Sequence, residues 1–352
     1  MASNEARPGS QEPATNGRAA EKAVPNGKKE LKILMLHATY LTSSPDSSPP
    51  AFSATRPSLH LHISPPSSGH CTARANFPLG FTQSGPLFDT KTRALAKLLT
   101  KALSPAPFNT APRLVFPTGP HRLRARDVPG FASSSSSSSP ASHGGAAEEG
   151  DDEDSDSWAW WRRDEASGAY AGFEAGMRRV AEAVRGAGGV DGVCGFSQGG
   201  CLAALVAAAL EGRSPPAGCP SPSSPASASE AADWTWLDDL RAANGGRPLK
   251  FCVVYSGFWA PVPGLQWLYG GSPGDGAGNP PEKSGLITTP TLHFLGSLDS
   301  VVEESRSRAL IDRCRDPVVV EHPGGHHVPV ARDRVMPLVG FLRQVLGGQG
   351  KL

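Results

Sequence analysis

Apolar positions in this chain gather into short runs, set between amphipathic stretches and long polar blocks that have no period. Leu31-Lys-Ile-Leu-Met-Leu-His37 is apolar almost throughout and predicts a buried strand ending on a histidine. An amphipathic helix follows from about Leu87 to Leu103, with Leu95, Leu98 and Leu99 on one side, and Arg113-Leu-Val-Phe-Pro117 reads as a second strand. A helix from about Ala166 to Arg185 leads to the strand Val190–Cys194 and the small-residue helix Gln198–Leu210. Strands at 249–255, 291–295 and 317–321 then alternate with helices at 302–314 and 331–346, after a short helix around Trp234 to Leu240. Strand and helix in alternation predict an α/β fold, a mostly parallel sheet covered by helices on both faces.

The polar blocks bound the folded part. Residues 1–29 lack hydrophobic periodicity and read as a disordered tail. Low-complexity insertions are expected at about 38–79, at 130–157, where seven serines precede an acidic run, and at 213–247. Without them about 220 residues remain, the size of one domain, so residues 30–348 are read as a single interrupted domain.

Composition narrows the function. A net charge of +1 with no basic cluster gives no electrostatic footprint for nucleic acid. No apolar stretch approaches the roughly 20 residues that span a bilayer, and the polar first residues carry no secretory signal pattern, so no membrane partner is expected. The six cysteines show neither C-x-x-C nor metal-ligand spacing. Cys194, Cys201 and Cys252 fall in apolar patterns and behave as small buried hydrophobes, which favours a reducing, cytoplasmic compartment with no metal and no cofactor.

Three segments carry chemistry. Gly195-Phe-Ser-Gln-Gly199 is a G-x-S-x-G set between a strand and a helix, where a sharp turn would project the Ser197 hydroxyl above the sheet. In a chain with 40 glycines the pentapeptide alone is weak. Context strengthens it: Pro290-Thr-Leu-His-Phe-Leu-Gly-Ser-Leu-Asp299 is a strand ending in a loop with a carboxylate, and Val318-Val-Val-Glu-His-Pro-Gly-Gly-His326-His327 is a strand ending in a loop with imidazoles. The order Ser, Asp, His is that of α/β-hydrolases, and each group follows the C-terminal end of a strand, where open α/β sheets gather their chemistry. Asp299 competes with Glu303, Glu304 and Asp312 as the acid, and His326 with His322 and His327 as the base. One oxyanion donor is expected at the backbone N–H of Gln198 and the other in the loop after the first strand. Trp160, Trp161, Phe258 and Trp259 are candidates to line an acyl pocket, although aromatic residues near strand ends serve as core equally often.

The runs LKILMLH, GFTQSGPLFDTKTRALAKLL, WAWWRRDEASGAYAGFEAGMRRVAEAV, GFSQGG, LKFCVVYSGFWAP, TPTLHFLGSLDSVVEESRS and HPGGHHVP resemble the fungal serine hydrolase family, related to the ovarian-cancer-associated serine hydrolase. The resemblance implies an α/β-hydrolase fold, a Ser197, Asp299 and His326 triad, and esterase-like hydrolysis of a small-molecule ester without a cofactor. It also implies a thioester as an alternative substrate, with an acyl-carrier or polyketide synthase as partner. Family members run from the first strand's histidine into Gly-Phe, so His37 should adjoin Gly80-Phe81 and the second oxyanion N–H should be that of Phe81, or of Ala38 if the loop closes early. Residues 38–79 then read as translated intron or a gene-model error. A non-catalytic hydrolase-fold protein with an interrupted oxyanion loop is the competing expectation.

Overall fold

The computed structural model describes residues 27–39, 84–124, 156–224, 232–271 and 285–347. The tail up to residue 26, Phe81, most of the first two insertions and part of the third lie outside the described residues.

In chain order the elements are β1 (Lys29–Leu36), α1 (Gly85–Leu103), β2 (Thr110–Val115), β3 (His121–Arg122), β4 (Trp158–Ala159), β5 (Arg162–Arg163) and β6 (Tyr170–Ala171). Then come α2 (Phe173–Gly186), β7 (Gly192–Phe196), α3 (Gln198–Leu210), α4 (Thr235–Ala243), β8 (Phe251–Tyr255), a 3-10 helix (Pro263–Tyr269), β9 (Thr291–Gly296), α5 (Glu304–Ile311), β10 (Val318–His322) and α6 (Arg332–Gly347). One sheet holds six strands in the order β10-β9-β8-β7-β1-β2, and every pairing within it is parallel. This is the parallel α/β sheet that the alternation of elements predicted, and it fits the α/β-hydrolase fold that the resemblance implies.

Strand periodicity sorts the core into two layers. Leu31, Ile33 and Met35 of β1 pack on one face with Phe88, Leu95 and Leu99 of α1 and Leu338 and Leu342 of α6. Leu34 and Leu36 face the other way, onto α2, α3 and α4. Both faces are covered, which is why the strands read as near-continuous apolar runs. All 13 residues of α3 are buried, so this helix is apolar on every side.

Three expectations change. The helix predicted from Ala166 starts at Phe173, because Asp164 accepts hydrogen bonds from the Ser167 N–H and hydroxyl at 2.7 Å each and turns the chain into the β5–β6 hairpin. Gly172, at φ 78°, then separates that hairpin from α2. The helix predicted over 302–314 is only α5, Glu304–Ile311. Last, β1 includes Lys29, one residue into the expected tail.

Candidate active site

The elbow is made by close backbone packing. Ser197 follows β7 directly and has φ 56° and ψ −118°, a conformation uncommon for any residue with a side chain. Its N–H donates to Tyr255 O at 2.9 Å, and its carbonyl accepts from the N–H groups of Gly200 and Cys201, so the strand is hydrogen-bonded up to the turn and the helix begins at once. A Cβ on Gly195 would collide with the Gly199 carbonyl, and one on Gly199 with the carbonyls of Leu36 and His37. Only glycine lets α3 lie this close beneath β7 and against the end of β1.

Asp299 and His326 arrive from the loops after β9 and β10. His326 Nδ1 and Asp299 Oδ2 are 2.8 Å apart, with both side chains nearly buried. Asp299 Oδ1 accepts the N–H groups of Val301 and Val302, each at 3.0 Å. Burial works against charge on this carboxyl, but the His326 bond and the two amides outweigh it and hold its pKa below the ordinary value. The loops themselves are tied together by Leu298 N–H donating to Gly324 O and Ser297 N–H to His322 O. The His326 ring lies 4.8 Å from that of Phe196, the residue before Ser197. Ser197, His326 and Asp299 therefore gather at the C-terminal edge of β7, β10 and β9.

On the β1 side, His37 is fully buried, with Nδ1 2.9 Å from Ala38 O and Nε2 accepting from the Gly119 N–H at 3.0 Å. The Gly119 contact requires an unprotonated Nε2, and burial lowers this imidazole's pKa to about 4 despite the Ala38 bond and the charge of Asp156. Its carbonyl accepts the Trp160 indole N–H at 3.0 Å. Next to it the Gln198 side chain accepts from Trp160 N–H at 2.9 Å and donates to Trp161 O at 3.0 Å. The sequence reading used only the backbone of Gln198. This side-chain clamp was missed, and its one signal was a polar residue at the start of an otherwise apolar helix.

The remaining expected residues distribute as follows. Gln198 opens α3, with its backbone amide at the helix N-terminus beside Ser197, whereas Phe81 lies outside the described residues. Trp160, Trp161, Phe258 and Trp259 are all buried in the larger core cluster. Trp161 stacks on Tyr170 with ring centres 4.9 Å apart, and Arg306 and Arg313 cover Phe258 and Trp259. A cavity of about 700 Å³ opens near the end of β1, where Thr118, Gly119, Asp156, Trp158 and Arg179 are among its lining. Of the competing acids, Glu303 and Glu304 begin α5, and Glu304 pairs with Arg308. Of the competing bases, His322 and His327 pack edge to face at 5.1 Å. Cys194, Cys201, Cys219, Cys252 and Cys314 are buried free thiols. Among the described residues there is no cluster suited to a metal ion and no helix long and apolar enough to cross a membrane.

Residues 73–338 match the family model described as Serine hydrolase (FSH1). The chain is 26% identical over 274 residues to Esterase OVCA2 of Danio rerio, spanning 75% of this chain and 94% of that protein. It is 25% identical over 268 residues to Family of serine hydrolases 2 of Saccharomyces cerevisiae, spanning 76% and 96%. It is also 27% identical over 250 residues to a Schizosaccharomyces pombe protein named dihydrofolate reductase, covering 71% of this chain but only 42% of that longer protein. Among solved structures, acyl-protein thioesterase 2 of Zea mays aligns over 92% of this chain and 97% of its own, at 15% identity and a TM-score of 0.45.

Proposed function

The chain belongs to the serine hydrolase family, and from that premise we propose that it cleaves carboxylic esters with Ser197 as nucleophile, His326 as base and Asp299 as acid. The observation that carries this reading is the 2.8 Å His326–Asp299 pair standing beside the strained turn of Ser197. Ser197 Oγ attacks the ester carbonyl while His326 takes its proton, then returns that proton to the departing alcohol, leaving an acyl-enzyme. Water, activated by the same imidazole, attacks the acyl-enzyme, and the acid leaves. Asp299 keeps Nδ1 protonated and stabilises the imidazolium that forms.

Charge on the carbonyl oxygen needs two donors. The Gln198 N–H supplies one, and its position is fixed because the Gln198 side chain is bound to the Trp160–Trp161 backbone. The second comes from the chain after β1, from Phe81 or from Ala38. Residues 38–79 bear on this donor, so a variant lacking them belongs in the same assay. Thioesters react through the same steps, and an acyl-carrier or polyketide synthase would be the partner if they are the natural substrates.

The decisive experiment is labelling with a fluorophosphonate probe, followed by mass spectrometry of the modified peptide. Labelling confined to Ser197 and lost in Ser197→Ala is the expected result. Absence of labelling in folded protein, with or without residues 38–79, would leave a non-catalytic hydrolase-fold protein as the reading. A panel pairing each acyl chain as an oxygen ester and as a thioester then assigns the leaving group.

A further inference from the structure

Four non-glycine residues among those described have positive φ: Asn109, Ser197, Ser256 and Asp316. Ser197 and Ser256 stand side by side, because Phe196 pairs with Tyr255 across β7 and β8 and Ser197 N–H donates to Tyr255 O. Neighbouring strands run about 4.8 Å apart, so the two residues follow adjacent strand ends. Ser256, at φ 45°, is 2% exposed, and its hydroxyl is buried without a hydrogen-bond partner.

Packing alone does not account for a serine at this position. The left-handed conformation suits glycine, and an unpartnered buried hydroxyl opposes folding, so both backbone and side chain disfavour it. The surroundings nevertheless hold the conformation firmly: Ser256 N–H donates to Phe294 O at 2.9 Å, and the next residue's carbonyl accepts the Ser307 hydroxyl at 2.7 Å. A strained residue with an unused polar group, fixed by its neighbours next to a nucleophile, has the signature of function. Strand order adds to this, since β8 lies between β7, which leads to Ser197, and β9, which leads to Asp299.

We propose that Ser256 is a positioning residue for the nucleophile: its hydroxyl, unpartnered in the free protein, turns about its Cα–Cβ bond in the reacting complex to donate a hydrogen bond to Ser197 Oγ and hold that oxygen in the orientation from which His326 takes its proton. The proposal rests on the hydrolytic reading above. Ser256 donates the bond and keeps its own proton, and the Ser197 proton still passes to the imidazole. Loss of the hydroxyl should therefore slow every reaction that begins with attack by Ser197 and leave substrate binding unchanged.

The test compares wild type, Ser256→Ala and Ser256→Gly by fluorophosphonate labelling rate, ester kcat and KM, and melting temperature. Both variants should lower the labelling rate and kcat together by about tenfold, the factor that one ordinary hydrogen bond supplies, with KM unchanged and a melting temperature no lower than that of the wild type. The glycine variant fits the left-handed backbone and keeps the experiment decisive if the alanine variant folds poorly. Wild-type labelling with an unchanged rate in either folded variant would overturn this proposal alone, as would a loss that follows melting temperature. Failure of the wild type to label at Ser197 would overturn the hydrolytic reading and this one with it.

Discussion

The turn at Ser197 and the His326–Asp299 pair, proposed as nucleophile and acid–base pair, are held by different forces. At the elbow, backbone rests on backbone: Gly195 lies against Gly199, and Gly199 lies against the end of β1, with no space for an added carbon. The acid–base pair hangs from two loops at the sheet edge, fixed by the donors to Asp299 and by the Leu298–Gly324 bond, and Leu298 beside it is 71% exposed. The elbow therefore tolerates no change of shape. The loops tolerate a change of shape more readily than a change of charge or hydrogen bonding.

The strongest way to break this contrast is Gly195→Ala, which forces α3 away from β7. Ester turnover should vanish and the melting temperature should fall by more than about 5 °C in a thermal scan. A normally melting, active variant would show that the elbow is not limited by packing. Asp299→Asn probes the other region with almost no change of volume. It should melt normally yet lose about 10³–10⁴-fold in kcat, because the amide no longer holds the imidazole in the working tautomer. A drop in melting temperature as large as that of Gly195→Ala would erase the distinction.

Acidity sharpens the comparison. His37 on the β1 side and His293 inside β9 are buried, and desolvation lowers both from 6.5 to about 4. As pH falls below 6.5 the unfolded chain takes up protons that the folded chain refuses, so stability is full above that value and declines toward pH 4. Each histidine accounts for at most about 3 kcal/mol of the decline. The lowered pKa of Asp299 keeps its charge into the same range. Urea midpoints from pH 7 to 4 should show the loss, and His293→Leu should remove about half of the slope. An unchanged slope would mean that His293 does not titrate as its burial implies.

Gln198→Ala should have the smallest effect. It removes two buried hydrogen bonds between the elbow and Trp160–Trp161, at about 2 kcal/mol of stability in a urea titration and about tenfold in kcat. A stability loss with unchanged kcat would make the clamp purely structural and leave the Gln198 amide correctly placed without it.

Most of the architecture was legible because both of its codes are local. Near-continuous apolar runs marked strands buried on two faces, and the order of elements predicted the parallel sheet. Local rules also explain the main error, since Ala166, Ala169 and Ala171 suit a helix but Asp164 and Ser167 bind each other and turn the chain, and Gly168 and Gly172 take left-handed conformations. The aromatic residues expected near the site show a different limit. Trp160 and Trp161 are apolar in any reading, and only the position of α3 and α2 makes them core.

By itself the sequence determined the alternating fold, the glycine-flanked serine, and the two strand-end loops that carry carboxylate and imidazole. Their order and their places after strands are properties of neighbouring residues, so a linear pattern records them. The tertiary structure decided that His326 lies against Asp299, that the Gln198 side chain holds the Trp160 backbone, and that Ser256 ends up beside Ser197. These are meetings of residues far apart in the chain, set by strand order and register through the packing of whole layers, and no local pattern of hydrophobic and polar positions encodes them.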